Sequence, residues 1–424
     1  MGAAGSRIAL PEPTGPYSVG CGDVMTAEAP ADGGVFYRLF YPTEKCDLTQ
    51  RLVQLAQWLP RAEYKDGYAD FLKLSPTMRY LFTYISTIDN ALTPVLWHSP
   101  VTRLPNNRKF PVVIFSHGLG GCRTTYTTIC AELASHGFVV AAVEHRDKSS
   151  CLSYYYKYAD NHTTSNGQIK SPDAEELQLN WVKYHDYGSK RDKEEQKMRH
   201  RQVLRRVAEC RSTLHNLESV NMGRPISRVG DSLFDLDQFK DSLDFSRVAI
   251  VGHSFGGATV LGACAKDTDF KVGAVLDGWM FPLDNDIVTS VTQPTLFINM
   301  DQFQWRSNVQ EMLRVIKTPP EAKADKKMYT IRGSVHQSQA DTPFLVGGRL
   351  SSYLLRVRGS IDTHLCMKIN NEMLLAFLRE HLDIIGDNSV ENVASSYPDD
   401  VVEGTTIKLS HSSATTPTTP NGPN

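Results

Sequence analysis

The sequence lacks several features that would place it in a specialised class of proteins. Its 424 residues contain no run of about 18 apolar residues, the length that a membrane-spanning helix requires. The first twenty residues have no continuous apolar stretch of the kind found in a secretory signal. Basic and acidic residues number 45 and 47, so the net charge of −2 gives no electrostatic reason to bind nucleic acid. These absences predict an ordinary globular protein that stays in the cytoplasm.

The cysteines also lack a pattern. No two of the eight stand at C-x-x-C spacing, so the sequence offers no cysteine-based metal site. A chain of this length buries a large core and does not need disulfides to fold. We therefore expect free thiols, no metal and no cofactor.

Short apolar runs alternate with helical patterns along most of the chain. Such runs are typical of strands buried on both faces of a sheet, and the alternation predicts a mostly parallel, doubly wound α/β fold. The predicted strands are 35–41, 110–115, 138–143, 248–251, 272–276, 295–299 and 327–331. The predicted helices are 124–135, 258–265, 308–316 and 370–382.

Composition divides the chain into three parts. Residues 1–30 are rich in proline and glycine and predict an irregular N-terminal arm. Residues 31–385 predict a single α/β domain, in which the highly charged segment 148–246 forms a cap or excursion that is helical in its second half. Residues 386–424 are polar and end in ATTPTTPNGPN, which predicts a disordered tail.

The most informative motif is G-x-S-x-G around Ser254. It follows an apolar, β-branched run and precedes a helix of small residues. This is the context of the nucleophile elbow in the α/β-hydrolase fold, where Gly252 and Gly256 leave room for a strained turn that exposes the serine oxygen. The alternative is a structural turn that happens to contain a serine.

A second glycine-rich run follows another predicted strand. Residues 116–121 read SHGLGG, at the strand end where the α/β-hydrolase fold builds an oxyanion hole. The expected donors are the backbone N–H groups of Leu119 and Phe255. The alternative is a plain glycine turn.

A serine nucleophile needs a histidine base and a carboxylate, which in this fold follow it along the chain. The histidines available are His253, His336, His364, His381 and His411. His336 lies in a loop after the last predicted strand and is the expected base, with His364 in reserve. Asp277 and Asp301 each end a predicted strand, and position alone leaves the choice of acid open.

Taken together, these motifs resemble those of the platelet-activating factor acetylhydrolases. The resemblance covers about residues 15 to 383 and rests on TGPYSVGCGDVM, RLFYP, FSHGLGG, ELASHGFVVAAVEHRD, VAIVGHSFGGATV, LDGWMFPL and GSVHQSQAD. It implies Ser254 as nucleophile, Asp277 as acid and His336 as base. It also implies calcium-independent hydrolysis of the sn-2 ester of phospholipids with short or oxidised acyl chains, and it points to the intracellular type II branch.

Two features predict reversible contact with a membrane. The first six residues match M-G-x-x-x-S, the acceptor pattern for a myristoyl group on Gly2, although a tail of small residues would match it too. Residues 68–92 are apolar with few charges and predict either an interfacial helix or a cap helix packed on the core. We expect a cytoplasmic protein with a membrane-associated pool and no obligate protein partner.

Two other functions compete with this one. A general carboxylesterase or lipase of the same fold would carry the same motifs but prefer soluble esters or triacylglycerol. A non-catalytic binding protein could use the same scaffold, but the sequence contains all three candidate catalytic residues in the expected order. Labelling of Ser254 by a fluorophosphonate would distinguish an enzyme from a binding protein.

Overall fold

The computed structural model describes residues 7–26, 34–45, 54–85, 88–158, 177–188, 192–230, 233–320, 323–346, 357–386 and 388–409. The strands are β1 (Arg7–Ile8), β2 (Ser18–Thr26), β3 (Phe36–Thr43), β4 (Leu55–Gln57), β5 (Ala91–Trp97), β6 (Phe110–Ser116), β7 (Val139–Val143), β8 (Leu152–Tyr158), β9 (Leu177–Lys183), β10 (Arg228–Val229), β11 (Leu243–His253), β12 (Val272–Leu276), β13 (Thr295–Met300), β14 (Lys326–Ile331) and β15 (Val401–Glu403). The helices are α1 (Glu63–Phe71), α2 (Pro76–Ile85), α3 (Thr127–Ser135), α4 (Lys193–Asn221), α5 (Phe255–Lys266), α6 (Asn285–Ser290), α7 (Arg306–Lys317), α8 (Thr342–Leu345), α9 (Thr363–His381) and α10 (Val390–Ser396).

The main sheet has a parallel centre and antiparallel flanks. Strands run in the order β1-β5-β2-β3-β7-β6-β11-β12-β13-β14-β15, and the six from β7 to β14 in that order are parallel to their neighbours. β3 pairs antiparallel with β7, and β15 pairs antiparallel with β14. Parallel strands need apolar residues on both faces because helices cover both sides. The predicted α/β-hydrolase fold is confirmed.

Each face of the sheet has its own core. On one face, side chains of α4, α5, α6 and α7 pack with the sheet in a single cluster. On the other face, α3, α9 and α10 form a second cluster. All seven predicted strands and all four predicted helices are present, with their ends moved by up to five residues for the strands and up to seven for the helices.

The prediction of an irregular arm over residues 1–30 is wrong for residues 18–26. These form β2, which pairs antiparallel with β3 from Ser18 to Met25. Gly20 and Gly22 weaken the strand pattern in the sequence. In the fold their missing side chains make room for two rings, because a Cβ would lie 2.4 Å from Tyr41 at the first position and 2.5 Å from Phe234 at the second.

The prediction of a disordered tail over residues 386–424 is wrong for residues 388–409. This segment contains α10 and β15, and the latter extends the main sheet. Three widely spaced apolar residues, Val390, Val393 and Val401, are buried there. Because so few residues of the segment are apolar, its composition did not indicate that it is folded. Residues 410–424 lie outside the described residues.

The charged segment 148–246 is only partly helical. Its second half contains the 29-residue helix α4 as predicted, but its first half contributes the hairpin β8–β9, and β10 pairs with β2. Val203, Val207 and Leu214 of α4 join the same core cluster as the sheet. The helix is therefore a layer of the core and not a cap above it. Among the described residues, none of the helices is long and apolar enough to cross a membrane.

Candidate active site

Ser254 stands at a strained turn between β11 and α5. Its backbone has φ 57° and ψ −115°, outside the regions that L-residues favour. The turn is tight enough that a Cβ on Gly252 would lie 2.4 Å from the carbonyl oxygen of Gly256, and a Cβ on Gly256 would lie 2.0 Å from that of Ser116. The sequence needs glycine at both positions, as the G-x-S-x-G pattern predicts.

His336 reaches Ser254 from a loop after β14. Its Nε2 lies 2.9 Å from the Oγ of Ser254, and its Nδ1 lies 2.6 Å from Oδ2 of Asp277. Because a carboxylate accepts hydrogen bonds, Nδ1 carries the proton and Nε2 accepts the hydroxyl hydrogen. The fold thus joins serine, histidine and aspartate from the ends of three different strands.

The two candidate carboxylates have different partners. Asp277 follows β12, is 1% exposed, and also accepts a hydrogen bond from the N–H of Met300 at 2.9 Å. Asp301 follows β13 and binds the base of the His336 loop instead, because its Oδ2 accepts from the N–H of Gly333 at 3.0 Å. Of the two carboxylates, Asp277 is therefore the one that contacts His336.

Burial sets the protonation of the pair. Loss of hydration lowers the pKa of His336 to about 3, because the charged imidazolium is disfavoured. Burial also raises the pKa of Asp277, an effect that the hydrogen bond from Met300 opposes. At neutral pH the imidazole is uncharged and its Nε2 lone pair is available to accept a proton from Ser254.

The two expected oxyanion donors belong to segments that adjoin Ser254. Leu119 lies in the loop after β6, where a Cβ on the preceding Gly118 would be 3.2 Å from Cβ of Ser254. Phe255 is the first residue of α5. No hydrogen-bond acceptor for the N–H of Leu119 or of Phe255 is found within the described part of the chain. Two free backbone donors beside a serine can bind a negatively charged oxygen.

His253 links this loop to His336. Its Nε2 lies 3.1 Å from the carbonyl oxygen of His336 and therefore donates. Its Nδ1 then accepts from the hydroxyl of Tyr126 at 2.8 Å, and this hydroxyl accepts from the N–H of Gly118 at 3.2 Å. Burial keeps the pKa of His253 well below its usual value, so the ring is neutral, as this series of hydrogen bonds requires.

The remaining histidines lie elsewhere. The ring of His364 packs edge-on against Phe344, and Nε2 of His381 lies 3.1 Å from Oδ2 of Asp325. His411 falls outside the described residues, as does Gly2.

Sequence reasoning missed Asp341, which holds the His336 loop on α3. Its two carboxylate oxygens accept from the N–H groups of Thr127 and Thr128 at 2.8 and 3.0 Å, and one also accepts from the indole of Trp58 at 2.9 Å. An acidic residue at a helix N-terminus satisfies N–H groups that lack partners within the helix. The signal in the sequence was its place at the end of the motif GSVHQSQAD, five residues after His336.

Two groups of described side chains have ligand atoms close enough together to hold a metal ion. They are His253, Asp277 and His336, and Asp325, Glu380 and His381. In the first group, hydrogen bonds within the protein engage both nitrogens of each histidine. In the second, Asp325 is paired with Lys327 at 2.7 Å and with His381. The ligand atoms of His253 and His336, and those of Asp325 and His381, are therefore engaged in contacts within the protein.

The apolar stretch 68–92 lies close to the site but is not one helix. It covers the end of α1, the whole of α2 and the start of β5. Phe71 packs on the oxyanion loop, since a Cβ on Gly120 would lie 2.3 Å from its ring. Leu72, Met78 and Tyr80 are 46%, 47% and 65% exposed. Some apolar side chains of this stretch therefore pack on the protein, as Phe71 does, whereas others are exposed to solvent, as Met78 and Tyr80 are.

Comparisons with known proteins place this chain among hydrolases. The family model for platelet-activating factor acetylhydrolase, isoform II, matches residues 2–401. A platelet-activating factor acetylhydrolase from Canis lupus familiaris is 37% identical over 97% of this chain and 86% of its own length. One from Gallus gallus is also 37% identical, over 97% of this chain and 93% of its own length. A putative phospholipase A2 from Schizosaccharomyces pombe is 28% identical over 84% of both chains.

A solved structure supports the fold. A ferulic acid esterase from Streptomyces cinnamoneus superposes with a TM-score of 0.60, covering 94% of this chain and 99% of its own, at 18% identity. This likeness concerns the fold alone. The family match and the relatives carry the assignment further, and the chain belongs to the platelet-activating factor acetylhydrolase family as an ester hydrolase.

Proposed function

We propose that this enzyme hydrolyses the sn-2 ester of phospholipids whose acyl chain is short or oxidised. With platelet-activating factor, the products are the lyso form and acetate. The observation that carries the proposal is the contact of Ser254 with His336 at 2.9 Å and of His336 with Asp277 at 2.6 Å, in a chain of this family.

The reaction proceeds by way of an acyl-enzyme. Ser254 Oγ attacks the ester carbonyl while Nε2 of His336 takes its proton, and Asp277 stabilises the resulting imidazolium. The N–H groups of Leu119 and Phe255 bind the oxyanion of the tetrahedral intermediate. His336 then protonates the departing lysophospholipid oxygen. Water, deprotonated by the same histidine, releases the short acid and restores Ser254.

The mechanism uses protein groups for each role that a metal fills in other hydrolases. Backbone donors bind the oxyanion, and His336 supplies and removes protons. We therefore propose that hydrolysis is independent of calcium.

Its substrates partition into lipid, so we propose that the enzyme works reversibly at a membrane surface. The exposed side chains of Leu72, Met78 and Tyr80 would enter the lipid boundary, while Phe71 connects the same helices to the oxyanion loop. A myristoyl group on Gly2 would add a second contact. The expected distribution is a cytoplasmic pool and a membrane-associated pool.

The decisive experiment is a panel of phosphatidylcholines with sn-2 chains of increasing length. We expect kcat/KM to be highest for acetyl and short oxidised chains and to fall steeply for long unmodified chains. Soluble aryl esters and triacylglycerol serve as comparison substrates. A preference for either over short-chain phospholipid would identify a general carboxylesterase or lipase and reject the proposal.

A further inference from the structure

Arg206 lies in helix α4 with its guanidinium fully buried next to the candidate site. Its Nη1 donates to the carbonyl oxygen of His117 at 2.6 Å, and its Nε donates to Oδ2 of Asp147 at 3.1 Å. The guanidinium also lies over the ring of Phe255, 4.3 Å from the ring centre. One buried cation thus contacts both segments that carry the candidate oxyanion donors.

The contact with His117 fixes one peptide of the oxyanion loop at both ends. Arg206 holds the carbonyl oxygen of the peptide between His117 and Gly118. The N–H of the same peptide, on Gly118, donates to the hydroxyl of Tyr126 at 3.2 Å. The plane of this peptide is therefore set by two partners from different elements, α4 and the start of α3.

The next peptide presents the donor itself. The carbonyl oxygen of Gly118 accepts from the N–H of Gly121 at 3.1 Å and from Nδ1 of His117 at 2.8 Å. In a trans peptide the N–H points opposite to the carbonyl. Fixing the oxygen of Gly118 therefore fixes the direction of the N–H of Leu119.

Arg206 also reaches the far side of Leu119. Its Nη2 donates to the Oγ of Ser149 at 2.6 Å. The backbone carbonyl of Ser149 accepts from the N–H of Gly120 at 2.8 Å. The loop is thus held before and after Leu119 by groups that meet at one guanidinium.

We propose that Arg206 is a positioning residue of the oxyanion hole. By holding the His117 carbonyl, Ser149 and the Phe255 ring together, it aligns the N–H groups of Leu119 and Phe255 on the oxygen that becomes charged during the reaction. This inference rests on the proposed function, because an oxyanion forms only if Ser254 attacks an ester. A purely structural arginine would neutralise Asp147 and have no effect specific to the transition state.

The test compares Arg206→Lys with Arg199→Lys. Lysine keeps the charge beside Asp147 but cannot bond His117 and Ser149 in the planar arrangement of a guanidinium. Arg199 is a matched control, since it is also buried in α4, and it bonds Glu195 at 3.4 Å and Gln202 at 3.0 Å. The measurements are kcat and KM on a short-chain phosphatidylcholine, thermal unfolding, and the affinity of a trifluoromethyl ketone analogue whose hemiketal oxygen occupies the oxyanion hole.

We expect Arg206→Lys to lower kcat about 10- to 100-fold and to leave KM within about threefold, because misplaced donors act on the transition state. The affinity of the trifluoromethyl ketone should fall by a similar factor. Arg199→Lys should keep both quantities within about twofold of wild type. A folded Arg206→Lys variant that matches Arg199→Lys in kcat and in inhibitor affinity overturns the inference.

Two further variants keep the result interpretable. If Arg206→Lys does not fold, Ser149→Ala removes one acceptor of the guanidinium and should lower kcat severalfold at constant KM, whereas an unchanged kcat overturns the inference. Ser254→Ala separates the two proposals. If Ser254→Ala abolishes hydrolysis while the Arg206 and Ser149 variants keep full kcat, only the positioning role is rejected. If Ser254→Ala keeps its activity, Ser254 is not the nucleophile, and both the proposed function and the positioning role are rejected.

Discussion

The ring of Phe303 stacks on the imidazole of His336, with ring centres 3.6 Å apart and planes at 18°. Phe303 ends the short 3-10 turn that begins at Asp301, directly after β13. Asp301 meanwhile binds Gly333 at the base of the His336 loop. The segment that follows β13 therefore covers the imidazole of His336 and anchors its loop. This cover contributes to the burial that lowers the pKa of His336.

The first prediction concerns the pH dependence of catalysis. Since the neutral form of His336 is the base and burial lowers its pKa to about 3, activity should persist below pH 6.5 and be lost only as this group becomes protonated. Phe303→Ala should expose the imidazole, raise its pKa toward the ordinary value, and move the acidic limb of the kcat/KM profile to higher pH.

A matched variant tests the cause of that shift. Phe303→Leu keeps an apolar cover over His336, so its acidic limb should stay closer to that of wild type. An acidic limb at or above pH 6.5 in the wild type, or one that moves to lower pH in Phe303→Ala, would contradict the role of burial.

The second prediction concerns the nucleophile. Ser254→Ala should lower kcat/KM by about 10³-fold or more, because no other group supplies the attacking oxygen. The fold should survive, since the side chain contributes only one hydroxyl. Loss of fluorophosphonate labelling together with an unchanged unfolding temperature checks both statements. Activity within about tenfold of wild type would assign the attack to another residue.

The third prediction ranks the two carboxylates. Asp277→Asn should lower kcat by about 10⁴-fold, because an amide in place of the carboxylate leaves His336 in the wrong tautomer. Asp301→Asn should keep kcat within about tenfold of wild type. It should lower the unfolding temperature instead, because Asp301 also accepts from the hydroxyl of Thr406 at 2.7 Å. The reverse order of kcat values, measured on folded proteins, would make Asp301 the acid.

The fourth prediction concerns metals. Excess chelator should leave kcat/KM for short-chain phospholipid unchanged, since backbone donors hold the oxyanion in the proposed mechanism and the histidine nitrogens are engaged in hydrogen bonds within the protein. A loss of activity that added calcium or zinc restores would show that a metal takes part.

The fifth prediction concerns membrane attachment. A single myristoyl chain binds lipid only marginally, with an association constant of about 10⁴ M⁻¹. Gly2→Ala should therefore shift protein toward the soluble fraction, and adding Met78→Ser and Tyr80→Ser should shift it further, without changing the rate on a soluble short-chain ester. Fractionation with labelled myristate measures both effects.

The control for this experiment is Met222→Ser, which removes an exposed methionine from the end of α4. It should leave the distribution unchanged. If labelled myristate does not enter the wild type, the lipid has no part in attachment. An equal effect of Met222→Ser would show that exposed apolar area in general, and not the α1–α2 segment, governs membrane binding.

Local pattern in the sequence determined the central sheet and two of the three candidate catalytic residues. Buried parallel strands are apolar on both faces, and the strained turn at Ser254 requires glycine at 252 and 256. The strands and the turn can therefore both be recognised from short sequence patterns. His336 could be singled out because a loop after the last parallel strand is where the base of this fold lies. Because buried parallel strands are apolar on both faces, the predicted strand ends also lie within five residues of the observed ends.

Only the tertiary structure distinguishes Asp277 from Asp301, since both follow strands and only Asp277 contacts the imidazole of His336, whereas Asp301 contacts Gly333. The same holds for β2, whose glycines accommodate rings from other segments of the chain, and for Arg206, whose hydrogen-bond partners His117, Asp147 and Ser149 lie more than fifty residues away in sequence. Such features depend on contacts between segments far apart in the chain. Composition and periodicity describe neighbours along the chain, so these contacts appear only when the chain is folded.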